Sequence, residues 1–182
     1  WLPNVSEGNR ALAFLKRPQK TNALIRAAHL VLAGNNYLAA HARQFNPRVE
    51  VVPSTIDTDN YFPIPARAAG APVTIGWSGS LSTIPHFELA LPALHEIHAR
   101  YGSRVRFRVI GHGTYHTDAI PVESIAWRAA TEAQDLSALD IGIMPLPDEE
   151  WARGKCGMKG LQYMGMGIAT VMSPVGTNTE IV

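Results

Sequence analysis

Val73-Thr74-Ile75-Gly76-Trp77-Ser78-Gly79-Ser80 is the stretch of sequence that decides the fold. Its first four residues have the character of a buried strand, and the glycine-containing turn after them opens into a predicted helix. A second buried strand is predicted at Val105–Ile110. Strand, helix and strand in this order predict an α/β protein with a parallel sheet covered by helices on both faces. The helix residues that recur at helical spacing and should face the sheet are Phe87, Leu91, Leu94, His98 and Tyr101, and Pro92 is expected to kink that helix.

The same alternation continues on both sides of this stretch. Upstream, the pattern predicts helices near Asn22–Ala28 and Tyr37–Phe45, strands at Leu30–Ala33 and Val49–Val52, and a helix cap at Asn35 or Asn36. Downstream, it predicts strands at Pro121–Ala126, Ile141–Leu146 and Ile168–Met172 and helices near Thr131–Leu139 and Gly157–Met166. Between the two series, Pro53–Pro72 is rich in Pro, Asp, Ala and Gly and has no periodicity. This composition predicts a connector and a domain boundary.

The composition excludes several classes of protein. Of the 182 residues, 46% are apolar and 17% charged, which is the balance of a chain with a packed core. A net charge of +1 without any run of like charge argues against a nucleic-acid partner. The single Cys156 excludes an internal disulfide and a multi-cysteine zinc cluster. No membrane span or signal peptide is visible, so we expect a cytoplasmic protein, and the start at Trp1 leads us to expect a fragment of a longer chain.

The turn at the end of the first buried strand is a candidate anion site. Gly76–Ser80 differs from the nucleophile elbow of serine hydrolases in its last residue, and no histidine follows Asp118 to complete that catalytic order. The backbone N–H groups of Ser78, Gly79 and Ser80 lie instead where a parallel strand ends and a helix begins, a position that attracts phosphate. A plain tight turn is the alternative.

Two lysines form a second candidate anion site. Lys155 and Lys159 lie just before and just inside the helix predicted from Gly157, where the helix dipole repels cations. A bound diphosphate would relieve that repulsion, and Gly154 and Gly157 would let backbone approach it closely. The alternative is a solvated loop with ordinary surface lysines.

Two further patterns are weaker. Gly111-His112-Gly113 begins like a dinucleotide fingerprint but lacks its third glycine, so NAD is not expected. His112, His116 and Asp118 have a spacing compatible with metal binding, although histidines at a turn are more often ordinary polar residues. The sequence therefore predicts no metal and no cofactor.

Read together, several stretches resemble the retaining glycosyltransferases of group 1, or family 4, which have two facing Rossmann-like domains in the GT-B arrangement. The most specific resemblance begins at Asp140–Pro147 and continues through Trp151–Gly167 and Ser173–Val182. The other resembling stretches are Val31–Ala39 for the end of the acceptor domain, Val51–Asp57 with Tyr61–Pro63 for the interdomain connector, and Ile75–Ser80 for the opening of the donor domain.

The resemblance implies a division of the chain into three parts. Residues 1–52 would be the C-terminal tail of an acceptor-side domain, residues 53–72 the interdomain connector, and residues 73–182 a donor-binding domain truncated at its C-terminus. Acceptor-side catalytic residues would lie upstream of Trp1, so no catalytic residue is assigned and this fragment alone is expected to be inactive.

The implied ligand is a UDP- or GDP-type nucleotide sugar, whose sugar is transferred to an acceptor saccharide or lipid-linked sugar in polysaccharide or glycolipid assembly. A membrane surface is a further implied partner of the missing N-terminal half, which would place the protein in the cytoplasm at the inner membrane. Where the family has a pair of glutamates, this chain has Gly154 and Gln162, which leaves only Gln162 to hydrogen-bond a ribose. The residues implied to bind the donor are Ser78, Gly79, Ser80, Lys155, Gly157, Met158, Lys159 and Gln162.

Two other functions are compatible with this sequence. A nucleotide-sugar epimerase of similar architecture would share the donor domain but should place carboxylates in the cleft. The second function is that of a binding module that has kept the fold but has lost catalytic activity. The glycine at position 154 favours this function. A fold alone does not distinguish among these functions.

Overall fold

The computed structural model describes residues 17–63 and 70–182, which form two compact units. The first, which we call the small unit, contains the described residues up to Ser54 together with Asp148–Gly157 and Pro174–Val182. The second, the sheet unit, contains the described residues of Thr55–Pro147 and Met158–Ser173. Residues 1–16 of the predicted acceptor-side tail and residues 64–69 of the predicted connector lie outside the described residues. The assignment of the parts as acceptor-side and donor-binding stays a prediction.

Helices and strands alternate along most of the chain. The strands are β1 (Val31–Ala33), β2 (Val49–Val51), β3 (Val73–Ser78), β4 (Val105–Gly111), β5 (Val122–Ala126), β6 (Ile141–Met144) and β7 (Ala169–Met172). The helices are α1 (Gln19–Ala27), α2 (Asn36–Arg43), α3 (Ile84–Glu88), α4 (Leu91–Tyr101), α5 (Glu132–Ser137), α6 (Glu150–Arg153), α7 (Met158–Gly165) and α8 (Asn178–Ile181).

The small unit is built on a parallel pair of strands, β1 and β2, with Val31 opposite Val49. The buried Ala39 and Ala42 of α2 pack against this pair. α2 begins where the sequence predicts, because the side chain of Asn35 accepts the Leu38 N–H at 2.8 Å and so caps the helix.

The sheet unit contains a five-stranded parallel sheet in the order β5-β4-β3-β6-β7. β3 is the central strand and is buried from Thr74 to Ser78. Its full register with β4, from Val73 opposite Val105 to Ser78 opposite Ile110, holds the middle of the sheet together. The predicted α/β class with a Rossmann-like parallel sheet is therefore confirmed.

Both faces of this sheet carry an apolar cluster, because successive strand residues point to opposite sides. Val109 belongs to the cluster that includes Phe87 and Leu94 of α3 and α4. The next residue, Ile110, belongs to the cluster that includes Leu136 of α5 and Tyr163 of α7. Helices thus cover both faces, as the alternating sequence pattern predicts.

The helix after β3 differs from its prediction. It is two helices, since α3 ends at Glu88 and α4 begins at Leu91, so Pro92 lies in the first turn of a new helix and kinks none. Tyr101, predicted to face the sheet, is 39% exposed. Two short helices, α6 and α8, were also not predicted, because four residues are too few to show a helical period.

Candidate functional site

The carboxyl ends of the five parallel strands form one edge of the sheet, which we call the carboxyl edge. Its strands end at Ser78, Gly111, Ala126, Met144 and Met172. In open α/β sheets, ligands bind outside this edge at the point where the strand order reverses. Here the chain runs outward from β3 to β4 and β5 and then crosses back to β6 and β7. The reversal therefore lies beside β3. Ser78 is the last residue of this strand, and Gly79 and Ser80 come directly after it.

The backbone of this turn does not present the exposed N–H groups that the sequence predicts. The Ser78 N–H donates to the Tyr163 hydroxyl at 3.0 Å, and the Gly79 N–H donates to the Ile110 carbonyl at 2.8 Å. The Ser80 N–H donates to Thr83 Oγ1 at 3.1 Å. All three donors are engaged within the protein, so their N–H groups are not exposed as the sequence analysis expects. Donor binding by Ser78, Gly79 and Ser80 stays a prediction.

Ser80 has a structural role as well, since it caps the 3₁₀ turn at Leu81–Thr83 in a reciprocal arrangement with Thr83.

The exposure of the two serines bears on the nucleophile elbow. Ser80 is exposed, whereas Ser78 is only 5% exposed. A nucleophile elbow requires an exposed serine on a strained turn. Ser78 is buried, and no non-glycine residue in the described ranges has a positive φ. The structure therefore gives no support to a serine hydrolase.

Lys159 places a positive charge at this edge. It is the second residue of α7, and its Nζ lies 4.6 Å from the centroid of the Trp77 ring. Trp77 is 1% exposed and ends against Gly79, where a Cβ would overlap the indole. The lysine amine and the turn at Gly79 thus contact the same indole, which brings two of the predicted site segments together. Met158, the residue before this lysine, is 45% exposed.

Gln162 lies one turn further along α7 and is 8% exposed. A side-chain hydrogen bond with Gln162 lowers the pKa of the Tyr61 phenol. Burial is the largest influence on Tyr61, and together with Glu132 it raises the pKa above the ordinary value.

Tyr61 and Gln162 belong to a polar network that the sequence analysis missed. The Tyr61 hydroxyl donates to Glu132 Oε2 at 2.6 Å, and the indole Nε1–H of Trp127 donates to Glu132 Oε1 at 2.8 Å. Its members come from the segment before β3, the end of β5, the start of α5 and the middle of α7. No local pattern links residues so far apart in sequence.

Lys155 and Gly157 belong to the small unit. The Asn35 amide donates to the Lys155 carbonyl at 3.1 Å, and burial lowers the pKa of the Lys155 ammonium while Glu149 raises it. Gly157 has φ +71° and a Cβ there would overlap Ile181, so a glycine is required by the backbone and by packing. A joint clamp of Lys155 and Lys159 stays a prediction.

The histidine-rich loop after β4 forms no compact cluster. The His112 ring hydrogen-bonds Thr114 at 3.0 Å, and His116 lies 4.0 Å from Asp118 with both side chains exposed. In residues 17–63 and 70–182, no group of three or more His, Cys, Asp or Glu residues could hold a metal ion.

None of the helices in the part of the chain that the structure describes combines the length and the apolar character that a membrane span requires.

A cleft of about 870 Å³ lies at the opposite edge of the sheet unit. Its lining includes Val73 and Val105, the first residues of β3 and β4, together with Tyr101 and Arg104. None of the predicted site residues lines it, so its size carries no argument about the candidate site.

The comparisons with known proteins give the fold a precedent. No protein family profile matches the chain, and no curated protein matches it. Among solved structures, the apo form of OtsA matches with a TM-score of 0.60 and 14% identity, over 93% of this chain and 52% of that one. An E. coli trehalose-6-phosphate structure bound with UDP-2-fluoro glucose matches with a TM-score of 0.61 and 14% identity, over the same shares of both chains.

A Thermobaculum terrenum O-GlcNAc transferase matches with a TM-score of 0.50 and 18% identity, over 85% of this chain and 32% of that one. These neighbours are GT-B glycosyltransferases. The chain shares the fold of the part of these GT-B structures that it covers. It spans about half the length of the OtsA structures that it matches.

Proposed function

We propose that this chain is the donor-binding half of a glycosyltransferase that uses a nucleotide sugar. The observation that carries the proposal is the position of the Lys159 amine, beside the turn after the central strand and at the edge where open α/β sheets bind ligands. The fold supports it, because the solved structures that match over 93% of the chain include one bound with UDP-2-fluoro glucose.

In this proposal Lys159 contacts the diphosphate of the donor. Breaking the bond between the sugar and the diphosphate leaves negative charge on the leaving group, and a preorganised cation stabilises that charge in the transition state. Ser80 and Met158 border the same ligand, and Gln162 offers its carbonyl oxygen to a ribose hydroxyl. Lys155 and Gly157 are included on the strength of the sequence alone.

The finer description follows the resemblance to retaining family 4 enzymes. The donor is of the UDP or GDP type, the acceptor is a saccharide or a lipid-linked sugar, and the product enters polysaccharide or glycolipid assembly in the cytoplasm at the inner membrane. Acceptor-side residues supply the rest of the active site, so residues 1–182 alone bind the donor and do not complete the transfer.

A non-catalytic binding module is the second candidate, and Gly154 favours it because glycine has no side chain to contact the donor sugar. An epimerase of similar fold is less well supported. Glu132, the carboxylate of the Tyr61 network, has both oxygens engaged by Tyr61 and Trp127.

A calorimetric screen of UDP, GDP and their sugar conjugates against the full-length protein tests the proposal. We expect micromolar to millimolar binding of one nucleotide class and transfer of its sugar to an added acceptor. If a nucleotide sugar binds but is neither transferred nor consumed, the result supports the binding module. Conversion of the donor into its epimer supports the epimerase. Failure of all nucleotides to bind overturns the proposed function.

A further inference from the structure

An exposed tryptophan stands at the carboxyl edge, at the end of the sheet. Trp127 directly follows Ala126, the last residue of edge strand β5, and 49% of its surface is exposed. A planar ligand that covers an exposed aromatic ring removes apolar surface from water, which is favourable. Trp127 lies at the edge where open α/β sheets bind ligands, so its ring is available to a ligand bound there.

The ring is held in a fixed position. The Trp127 backbone N–H donates to the Gly111 carbonyl at 3.0 Å, and its indole Nε1–H donates to Glu132 at 2.8 Å. Glu132 is fixed in turn by the Tyr61 hydroxyl at 2.6 Å. The indole therefore has its polar end satisfied and keeps its apolar surface for a planar partner.

The surroundings indicate which planar partner fits. The network runs from Trp127 through Glu132 and Tyr61 to Gln162, which the proposed function places at the ribose. Trp127 follows β5, two strands away from β3, or roughly 10 Å at the usual strand spacing. A nucleoside diphosphate spans this interval, with its phosphates near Lys159 and its base at the outer strand.

We propose that the indole of Trp127 is the stacking surface for the nucleobase of the donor and that Glu132 is the positioning residue for that indole. The inference rests on the proposed function, because it needs a nucleotide at the carboxyl edge. Stacking is tolerant of base identity, so it adds affinity for UDP and GDP alike.

The test compares two tryptophans of equal exposure. Trp127→Ala and the control Trp151→Ala remove rings that are 49% and 47% exposed, and Trp151 lies in the small unit. The variants are titrated calorimetrically with UDP, GDP and inorganic pyrophosphate. Trp127→Ala should bind the nucleotides at least fivefold more weakly, which corresponds to the loss of one base-stacking contact. Pyrophosphate binding should be unchanged, and Trp127→Phe should keep most of the nucleotide affinity.

The role of Glu132 is tested by the same comparison of nucleotide affinity with pyrophosphate affinity. Glu132→Ala should weaken nucleotide but not pyrophosphate binding, and Glu132→Gln should restore it, because its amide oxygen can still accept the indole N–H. Each variant is first checked for an unchanged melting curve, and a variant that fails this check is replaced by its conservative partner.

The outcomes separate the two proposals. If wild type binds nucleotides and Trp127→Ala binds them equally well, the stacking surface is wrong and the proposed function stands. If Trp127→Ala weakens pyrophosphate and nucleotides alike, the indole supports only the fold of the edge, and the inference is again wrong. If wild type binds no nucleotide, both proposals fall.

Discussion

The amine of Lys159 lies 4.6 Å from the centroid of the Trp77 ring, at the carboxyl end of the central strand. A cation over a buried indole is stabilised by the ring quadrupole. The pair fixes the first turn of α7 against β3, although α7 and β3 are far apart in sequence. It therefore sets the position of a positive charge at the edge where a ligand is expected.

Gly79 should be sensitive to substitution. In Gly79→Ala the new Cβ would overlap the Trp77 indole, so we expect a loss of about 1–3 kcal/mol in the free energy of unfolding, as for other overpacked sites. Gly154→Ala is the matched control, because the nearest atom lies at 3.4 Å and the backbone is helical. Urea denaturation measures both, and equal stability of the two variants would contradict the packing described.

The Tyr163 hydroxyl should carry a measurable part of the stability. Tyr163→Phe keeps the buried ring but removes the acceptor of the Ser78 N–H, which is then buried without a partner. We expect a loss of about 1–3 kcal/mol in the free energy of unfolding. Tyr101→Phe, which alters a partly exposed tyrosine, should change stability by less than about 0.5 kcal/mol. A neutral Tyr163→Phe would show that this hydrogen bond is absent in solution.

Asn35 should stabilise the small unit in two separable ways. Its oxygen caps α2, and its amide donates to the carbonyls of Arg153 and Lys155. Asn35→Ser keeps a capping oxygen but is too short for the carbonyls, whereas Asn35→Ala loses both functions. We expect the serine variant to be less stable than wild type and the alanine variant to be lower by about another 1 kcal/mol. Thermal unfolding compares the three proteins, and identical Tm values for Ser and Ala would rule out the cap.

Stability should fall at alkaline pH because Tyr163 is buried and Tyr61 is partly buried. Burial is the largest cause that raises the pKa of Tyr61 and Tyr163 above the ordinary 10.0, and for Tyr61 the hydrogen bond to Glu132 adds to it. A raised folded-state pKa stabilises the fold below pH 10 and loses that contribution as pH rises through the folded value. Denaturant titrations from pH 8 to 11.5 should show a steeper loss above pH 10 in wild type than in Tyr61→Phe. Parallel curves would contradict the partly buried, hydrogen-bonded position of the Tyr61 phenol.

Much of the fold could be predicted because its signals are local. The buried strand at Val73, the alternation of strands and helices, and the cap at Asn35 each depend on a few neighbouring residues. The break between α3 and α4 was predicted only as a kink at Pro92, because apolar residues keep their helical spacing across Leu89 and Ala90.

The candidate site was less predictable, because its contacts join residues that are far apart in the chain. The sequence identifies Gly79 and Lys159 as candidates, but only the structure shows that both contact Trp77. The N–H groups after β3 were expected to be exposed, and the Ser78 N–H is instead bonded to Tyr163, which lies 85 residues later in the sequence. Trp127 carried no motif at all, since its exposure becomes visible only when β5 is placed at the edge of the sheet.

The most direct test of the account is the affinity of UDP and GDP for wild type and Lys159→Met at fixed ionic strength. Methionine keeps a flexible apolar side chain against Trp77 and removes the charge. Lys20→Met, at an exposed lysine of α1, is the matched control. The account predicts about tenfold weaker binding of whichever nucleotide binds wild type, the value of one charge-assisted contact, and no change in the control. Equal affinity of wild type and Lys159→Met would contradict the claim that this lysine holds the diphosphate.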